Sequence, residues 1–307
     1  MTREEINENK QKEIFSEQKK ETAKKIIKNI FKYTIILTVI GIAFFSYVTY
    51  ISTAKIMVRE YRIVNKKIPD NFNGLKIIHF SDLHYGSTMY ESNLSDIKKE
   101  INIRKPDIIV FTGDLIDKNY KMTENDNKKL TDTLKNLNAN LGKYAILGDE
   151  DKDNISTIFN QSNFYILKNE YDLIYKNNND PILLIGLSSL INNKQNIDNG
   201  YNYFQQETYN SNIYTITLIH EPDSTDDIIN RYNTDLLLAG HSHNGYIRIP
   251  FIKYSPIKYN GAKKYDQDYY KIKNTKLYVS GGLGTSNSSG IRLFCRPSIS
   301  LYRLSNK

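Results

Sequence analysis

The side chains of this chain that could do chemistry together fall into five short strings. In order they are Asp82-Leu83-His84, Gly113-Asp114-Leu115-Ile116-Asp117, Gly148-Asp149-Glu150-Asp151, His220, and Gly240-His241-Ser242-His243. Four of the five histidines of the chain lie in them. Carboxylates and neutral imidazoles form the donor set that suits Mn, Fe or Zn ions. Asp82 and His84 are two residues apart, as are His241 and His243, so on extended backbone each pair can face one way and grip one ion. Asp114 follows a glycine that lets the backbone turn tightly, and its two oxygens could serve two ions. The alternative is a set of ordinary polar surface loops, which requires four of five histidines to reach strand ends by chance.

The elements that must position these strings are strands. Each string follows an apolar, β-branched run: LKIIHF, DIIVFT, KYAIL, IYTITLI and DLLLA. ESNLSDIKKEINIR reads as an amphipathic helix ended by Pro106, a polar helix is expected around 124–137, and DSTDDIINR reads as another helix. FYIL, DLIYK and ILLIGL within 164–187, and GYIRI, TKLYVS and SISLYRL in the tail, read as strands. Residues 191–212 are rich in Asn, Gln and Tyr without periodicity and predict a long loop. His79 lies inside the first strand and is expected to be packed or hydrogen-bonded there, not a ligand. Cys295 is the only cysteine, so there is no internal disulfide and no Cys-rich zinc site. It reads as a small core residue.

The N-terminal part differs in kind. Residues 1–32 are highly charged and read as a solvated tail, helical or disordered. Residues 33–51, YTIILTVIGIAFFSYVTYI, hold no charge. As a helix they rise roughly 28 Å, close to the thickness of a bilayer's hydrocarbon core. Tyr33, Tyr47 and Tyr50 near the ends suit the interfaces. An uncleaved single-pass anchor is expected, because no small-residue cleavage site follows cleanly. Six lysines precede the span within a short distance and five Lys or Arg follow it. That slight excess favours a cytoplasmic N-terminus and an extracellular large domain. Residues 52–73 read as a connector, and 74–307 as the large domain that carries the five strings.

Charge follows the same division. Residues 1–70 hold 14 Lys and Arg against 8 Asp and Glu, residues 71–250 hold 17 against 24, and residues 251–307 hold 11 against 2. The net charge of +8 thus belongs to the two ends. An acidic middle argues against a nucleic-acid partner, and basic ends suit a membrane surface. Lys253, Lys258, Lys263 and Lys264, interleaved with Tyr254, Tyr259 and Tyr265, read either as a solvated loop or as a contact for anionic lipid headgroups. No protein partner is implied.

The strings, taken together, resemble the calcineurin-like metallophosphoesterase superfamily. Its motifs are DxH, GDxxD, GNH followed by Asp or Glu, a single His, and GHxH, in this order. The resemblance covers roughly residues 74–304 and is closest to the bacterial membrane-anchored branch. Ser81-Asp82-Leu83-His84-Tyr85-Gly86 matches SDLHxG, and GHSHNGY at 240–246 runs into IRIP at 247–250. GLGTS at 282–286, Arg292 and RPSI at 296–299 follow. The resemblance implies a four-layer αββα sandwich of two mixed sheets, where the strand–loop–helix rhythm alone would equally allow one doubly wound sheet. It implies two divalent ions, one held by Asp82, His84, Asp114 and His243, the other by Asp114, Asp149, His220 and His241. Asp117 would not bind an ion directly; it would cap a helix or support the ligands from behind. The implied activity is hydrolysis of a phosphoester at the membrane surface, with phospholipid or nucleotide-lipid phosphodiesters as substrates.

The third string departs from the family. Where the family has Asn-His, this chain has Asp149-Glu150. Asp149 still offers an oxygen, but its charge lowers the Lewis acidity of the ions. Glu150 stands where the family's histidine assists the leaving oxygen. Beside two cations a carboxylate stays ionised, so it is a poor acid and repels a phosphate. Asp149 and Glu150 are therefore the residues on which catalysis turns. Either Glu150 has a task of its own, or the chain is a catalytically weak or inactive metal-binding scaffold at the membrane. Tyr246 in place of the usual Gln is a second, smaller departure, expected to affect substrate contact.

Overall fold

The computed structural model describes residues 3–47, 55–152, 154–177, 180–248, 255, 258–286 and 292–307. Two units form separately, residues 1–51 and residues 52–307. In the first, α1 (Arg3–Ser46) is one continuous helix, so the charged tail is helical and runs directly into the apolar stretch. The helix is long and apolar enough to cross a membrane. Phe31, Leu37, Ile42 and Phe45 are each at least 60% exposed, a sheath of apolar surface that water does not favour. Residues 48–51 of the expected span lie outside the described residues.

The second unit holds two six-stranded sheets. The first contains β1 (Met57–Val64), β2 (Lys76–Phe80), β3 (Ile108–Thr112), β4 (Gly142–Ile146), β5 (Tyr165–Ile166) and β12 (Ser298–Ser305), in the order β1-β12-β2-β3-β4-β5. The second contains β6 (Glu170–Ile174), β7 (Ile182–Gly186), β8 (Thr215–Ile219), β9 (Leu236–Ala239), β10 (Tyr269–Ile272) and β11 (Thr275–Val279), in the order β10-β11-β9-β8-β7-β6. Both sheets are mixed: β12 runs antiparallel to β2, and β6 and β10 run antiparallel to their neighbours.

Alternation along the strands builds the layers. Ile77 faces the other sheet with Ile108, Val110, Ile216, Leu218 and Leu236, while Ile78 and Phe80 point the other way. That outer face of the first sheet is covered by α2 (Glu91–Asn102), α3 (Glu124–Lys135) and α4 (Ile155–Gln161) through Leu94, Ile97, Leu130, Leu134, Ile158 and Phe159. The outer face of the second sheet is covered by α5 (Ile197–Gly200), α6 (Thr225–Arg231) and a cluster of tyrosines. The strands are buried on both faces, which is why they read as continuous apolar runs. The result is the four-layer αββα sandwich.

Three local expectations are corrected. Residues 52–73 are not only a connector, because Met57–Val64 pair with Ser298–Ser305 as the edge strand of the first sheet; its half-polar pattern, MVREYRIV, reflects an edge with one face partly wet. The stretch 191–212 holds α5 and a 3-10 turn at Asn202–Gln205, held down by the buried rings of Tyr201 and Tyr203. GYIRI is not a strand where it is described: Ile247 makes one isolated bridge to Leu293, and Ile249 and Pro250 lie outside the described residues.

Candidate metal centre

All five strings lie on loops at the carboxyl ends of β2, β3, β4, β8 and β9, where α/β sheets place ligands. The loops are held in unusual backbone. Asp82, His84, Asp114, His241 and His243 all have positive φ, between 42° and 65°. Non-glycine residues in this region each cost of order 1–3 kcal/mol and collect at functional sites. Gly113 turns at φ 93°, and a Cβ there would collide with the His220 ring. The tight turn expected before Asp114 is what lets β3 and β8 end side by side.

The seven candidate ligands form two adjoining groups. Asp114, Asp149, His220 and His241 make one, and Asp82, His84 and His243 the other; within each group the ligand-type atoms lie within 4.8 Å of one another. In the first, His220 Nε2 lies 3.1 Å from Asp149 Oδ1 and 3.3 Å from Asp114 Oδ2. His241 Nδ1 lies 3.1 Å from the same Asp149 oxygen. In the second, His84 Nε2 is 3.2 Å from His243 Nε2, which is 3.5 Å from Asp82 Oδ1. Asp114 Oδ2 is also 3.8 Å from His84 Nε2, so one carboxylate oxygen faces both groups. Ligands of a single divalent ion at roughly 2.1 Å stand roughly 3.0–3.4 Å apart; the contacts of His220 with Asp114 and Asp149, of His241 with Asp149 and of His84 with His243 have this spacing, while His243–Asp82 and His84–Asp114 are wider.

Tautomers supply a further test of fit. His220 Nδ1 donates to Thr112 O at 2.6 Å, and His241 Nε2 donates to Asn260 O at 2.6 Å. Each ring therefore turns its free nitrogen toward carboxylates, as ligating histidines do. Burial works against a charge on either imidazole, yet the facing carboxylates, Asp114 and Asp149 for His220 and Asp149 for His241, raise both above their ordinary value. The cluster calls for positive charge, a proton or an ion. Burial likewise opposes the Asp149 carboxylate, but His220 and His241 hold it below its usual range. His243 differs: burial and the cations His84 and Arg292 push it well below its ordinary value. Its Nδ1 accepts from Arg292 at 3.1 Å, which leaves its own proton on Nε2. Ion binding at Nε2 would have to displace both this contact, by moving the proton to Nδ1, and the approach of His84 Nε2.

Glu150 does not point into either group. Its Oε2 lies 3.3 Å from His84 Nδ1, behind the nitrogen that faces His243, and its Oε1 is 3.1 Å from Lys118 Nζ. Its amide donates to Asp114 Oδ1 at 3.0 Å. Burial raises its pKa, but His84 and Lys118 overcome this and keep it ionised, as expected of a carboxylate here. Asp117 caps no helix; α3 is capped by Thr123. It accepts from Asn119 N and joins His84 and Glu150 in a third small group.

Several contributions to the site were not assigned from the sequence, although Arg292 stood among the matching residues. Asp151, the last residue of the third string, accepts from the amides of Asp114, Leu115 and Gly148 at 2.8–2.9 Å and so ties the β3 loop to the β4 loop. Arg292 is fully buried and clamps His243 while donating to Gly281 O at 2.6 Å. Glu221, beside His220, accepts from the amides of Leu190 and Ile191 and holds the loop that walls the pocket. Lys118 follows Asp117 directly; a cation next to GDxxD was the available signal. Tyr246 stacks on His243 at 4.3 Å between ring centres and also walls the pocket. The pocket over the cluster measures about 290 Å3 and is walled by Lys118, Ile191, Tyr246, Tyr259, Asn260 and Ser286. His79 is packed as expected, 2.8 Å from Thr112 Oγ1. Cys295 is buried, with its thiol on His243 O. In the basic stretch, Lys258 pairs with Asp266 and Lys264 with Asp226, so those two charges are engaged within the fold; Lys253 and Tyr254 lie outside the described residues.

Residues 75–245 match the model of the calcineurin-like phosphoesterase family. The chain belongs to that family. A metallophosphoesterase of Bacillus subtilis, YkuE, is 30% identical over 268 residues, covering 85% of this chain and 89% of that protein. The UDP-2,3-diacylglucosamine pyrophosphatase LpxG of Chlamydia muridarum is 28% identical, covering 77% of this chain and 86% of that protein. The phosphodiesterase YaeI of Escherichia coli is 25% identical, covering 76% and 84%. The chain is thus a phosphoesterase of the calcineurin-like family, with clustered candidate ligands for divalent metal.

Proposed function

We propose that this phosphoesterase hydrolyses phosphodiesters of lipids or nucleotide-linked lipids at a membrane surface. Two divalent ions would be held by Asp82, His84, Asp114 and His243, and by Asp114, Asp149, His220 and His241. The observation that carries this reading is Asp114 Oδ2, which faces His220 at 3.3 Å and His84 at 3.8 Å. When bound, such ions supply Lewis acidity toward a phosphoryl oxygen and an attacking water. The apolar helix supports the membrane, and the lipid-linked substrate in the name of the LpxG relative supports the substrate class.

Within this reading the third string has work of its own. Asp149 accepts the role of ligand with one more negative charge than an amide. Glu150 is a positioning residue: its carboxylate fixes the His84 ring so that Nε2 faces the cluster. Lys118 cancels the charge of Glu150 and, exposed at the pocket wall, binds the phosphate or the leaving oxygen in place of a histidine. Hydrogen bonding to Glu150 raises the Lys118 pKa, so this ammonium acts as a fixed cation and electrostatic stabiliser.

The test uses the full-length chain in detergent micelles. After loading with Mn, plasma mass spectrometry should find about two ions per chain, and a bis-aryl phosphodiester should be cleaved. A folded chain that binds no ion would remove the reading. Two ions with no turnover on any phosphoester would favour the metal-binding scaffold. We further propose that α1 crosses the membrane with the globular unit outside. Protease added to intact cells should then digest that unit; full protection until lysis would reverse the orientation.

A further inference from the structure

A second large cavity lies away from the candidate metal cluster. A cleft of about 870 Å3 lies at the opposite end of the two sheets. Its walls come from the end of β1 and the following Lys66 and Lys67, from the residues before β8 and β9, and from the β10–β11 turn. Five lysines line it, Lys66, Lys67, Lys271, Lys273 and Lys276, against one carboxylate, Asp235. That carboxylate is already engaged: it accepts from Thr215 N and Asn65 Nδ2 at 3.0 Å each and pairs with Lys67 at 3.4 Å. Among the described residues, Lys276 and Lys273 have only neutral hydrogen-bond partners. Lys276 Nζ donates to Val64 O at 3.1 Å, and Lys273 reaches Asn230 at 3.5 Å.

Two observations separate this cleft from a merely basic surface. Lys276 is half-buried, and burial together with Lys271 holds its ammonium below the usual range. Tyr214 also lines the cleft and is fully buried, and among the described residues its hydroxyl has no hydrogen-bond partner. A buried hydroxyl without a partner costs about 1–3 kcal/mol. Both defects are cured by the same thing, an anion with several acceptor oxygens. The volume suits a molecule of nucleotide size.

We infer that this cleft binds a multiply charged, phosphate-bearing group, at a site separate from the metal cluster. The lysines supply charge-assisted donors, and the Tyr214 hydroxyl supplies a neutral one. The source is either a soluble polyphosphorylated molecule or an anionic lipid headgroup. The inference does not depend on the proposed substrate, because no residue of the cleft belongs to the cluster.

The experiment uses the full-length chain in non-ionic detergent, stripped of metal with EDTA, and titrates it calorimetrically with sodium tripolyphosphate. One saturable site is expected, weakened by added salt. Lys271→Gln with Lys276→Gln should raise the apparent Kd about tenfold or more, since each removes a charge-assisted bond. Tyr214→Phe should raise it several-fold while leaving the thermal midpoint of the free protein unchanged or higher. In a second arm, the chain in neutral-lipid nanodiscs is floated with vesicles containing phosphatidylglycerol. Tripolyphosphate binding lost in the double variant assigns a soluble ligand. Vesicle capture lost in the double variant, without tripolyphosphate binding, assigns a headgroup. Absence of both, or binding equal in wild type and double variant, overturns the inference.

Discussion

At one end of the paired sheets, three carboxylates and four imidazoles crowd into two adjoining groups; at the other, five lysines ring a cleft around a single neutralised carboxylate. The strands are shared, since β8 and β9 reach both ends, and sheets carry little net dipole of their own. The difference in sign is therefore made by side chains alone. The conformational cost differs as well. Five of the seven candidate ligands sit in left-handed backbone, whereas the cleft has one such residue, Lys273, in the two-residue turn between β10 and β11. Strain is spent where several groups must meet at ligand–ligand distances. It is not needed where long, flexible ammonium side chains can find an anion for themselves.

The comparison breaks most visibly at Asp114. Asp114→Asn removes the charge from the one oxygen that faces both groups. Metal content after Mn loading should fall from about two toward one or none. Phosphodiester turnover should fall on the order of 10³-fold, the upper range for loss of a preorganised electrostatic partner. Tripolyphosphate binding in the distant cleft should not change. An Asp114→Asn enzyme with two ions and near-normal turnover would show that this carboxylate bridges nothing.

Glu150 sharpens the contrast between a residue that holds an ion and one that aims a ligand. Glu150→Gln keeps the shape and deletes the charge facing His84 Nδ1. Loss of such a carboxylate partner typically costs 10–100-fold in metal affinity. The variant should need correspondingly more Mn for half-maximal occupancy and recover most activity when saturated. Occupancy unchanged, with activity lost at every Mn level, would instead give Glu150 a direct catalytic task. Lys118→Met should do the reverse: metal affinity preserved, turnover on an alkyl phosphodiester reduced by about tenfold or more, and less effect on an activated aryl ester whose leaving oxygen needs little help. Lys118→Arg should restore most of the loss. Equal loss on both esters would place Lys118 in substrate binding alone.

The site was legible in the sequence to the extent that it is built from strand ends. Asp82, His84, Asp114, Asp149, His220, His241 and His243 each follow an apolar run, and a strand buried on both faces leaves its mark in composition. The layers were legible less directly: alternation tells which residues share a face, not that two sheets are stacked, and that step came from the family resemblance. What stayed hidden depends on contacts between distant segments. Nothing near Asp151 says that its oxygens take amides from two loops. Glu150 is one residue from Asp149, yet it turns to the back of His84, a direction set by Lys118 and not by the string. β1 was hidden because an edge strand with one half-wet face looks like a connector, and the lysine cleft because its members are spread from 66 to 276.

The smallest expected effect lies between the two ends, at His79. This histidine belongs to neither site; it is fully buried beside Thr112 and Tyr302 in the layer between the sheets. Burial alone pushes its pKa down to about 3, while in the unfolded chain it titrates near 6.5. The folded state thus holds a neutral imidazole where the unfolded state, below about pH 6.5, takes up a proton. Stability from this group is complete above that pH and is lost progressively as pH falls toward 3. At pH 5 the loss is about 2 kcal/mol. His79→Gln can keep a hydrogen bond to Thr112 but cannot titrate. Its stability, measured by urea unfolding, should therefore fall about 2 kcal/mol less than that of wild type between pH 7 and pH 5, in chains freed of metal so that the cluster does not add its own proton competition. Equal acid sensitivity in both proteins would mean that the proton enters elsewhere, with the imidazoles of the metal cluster the first place to look.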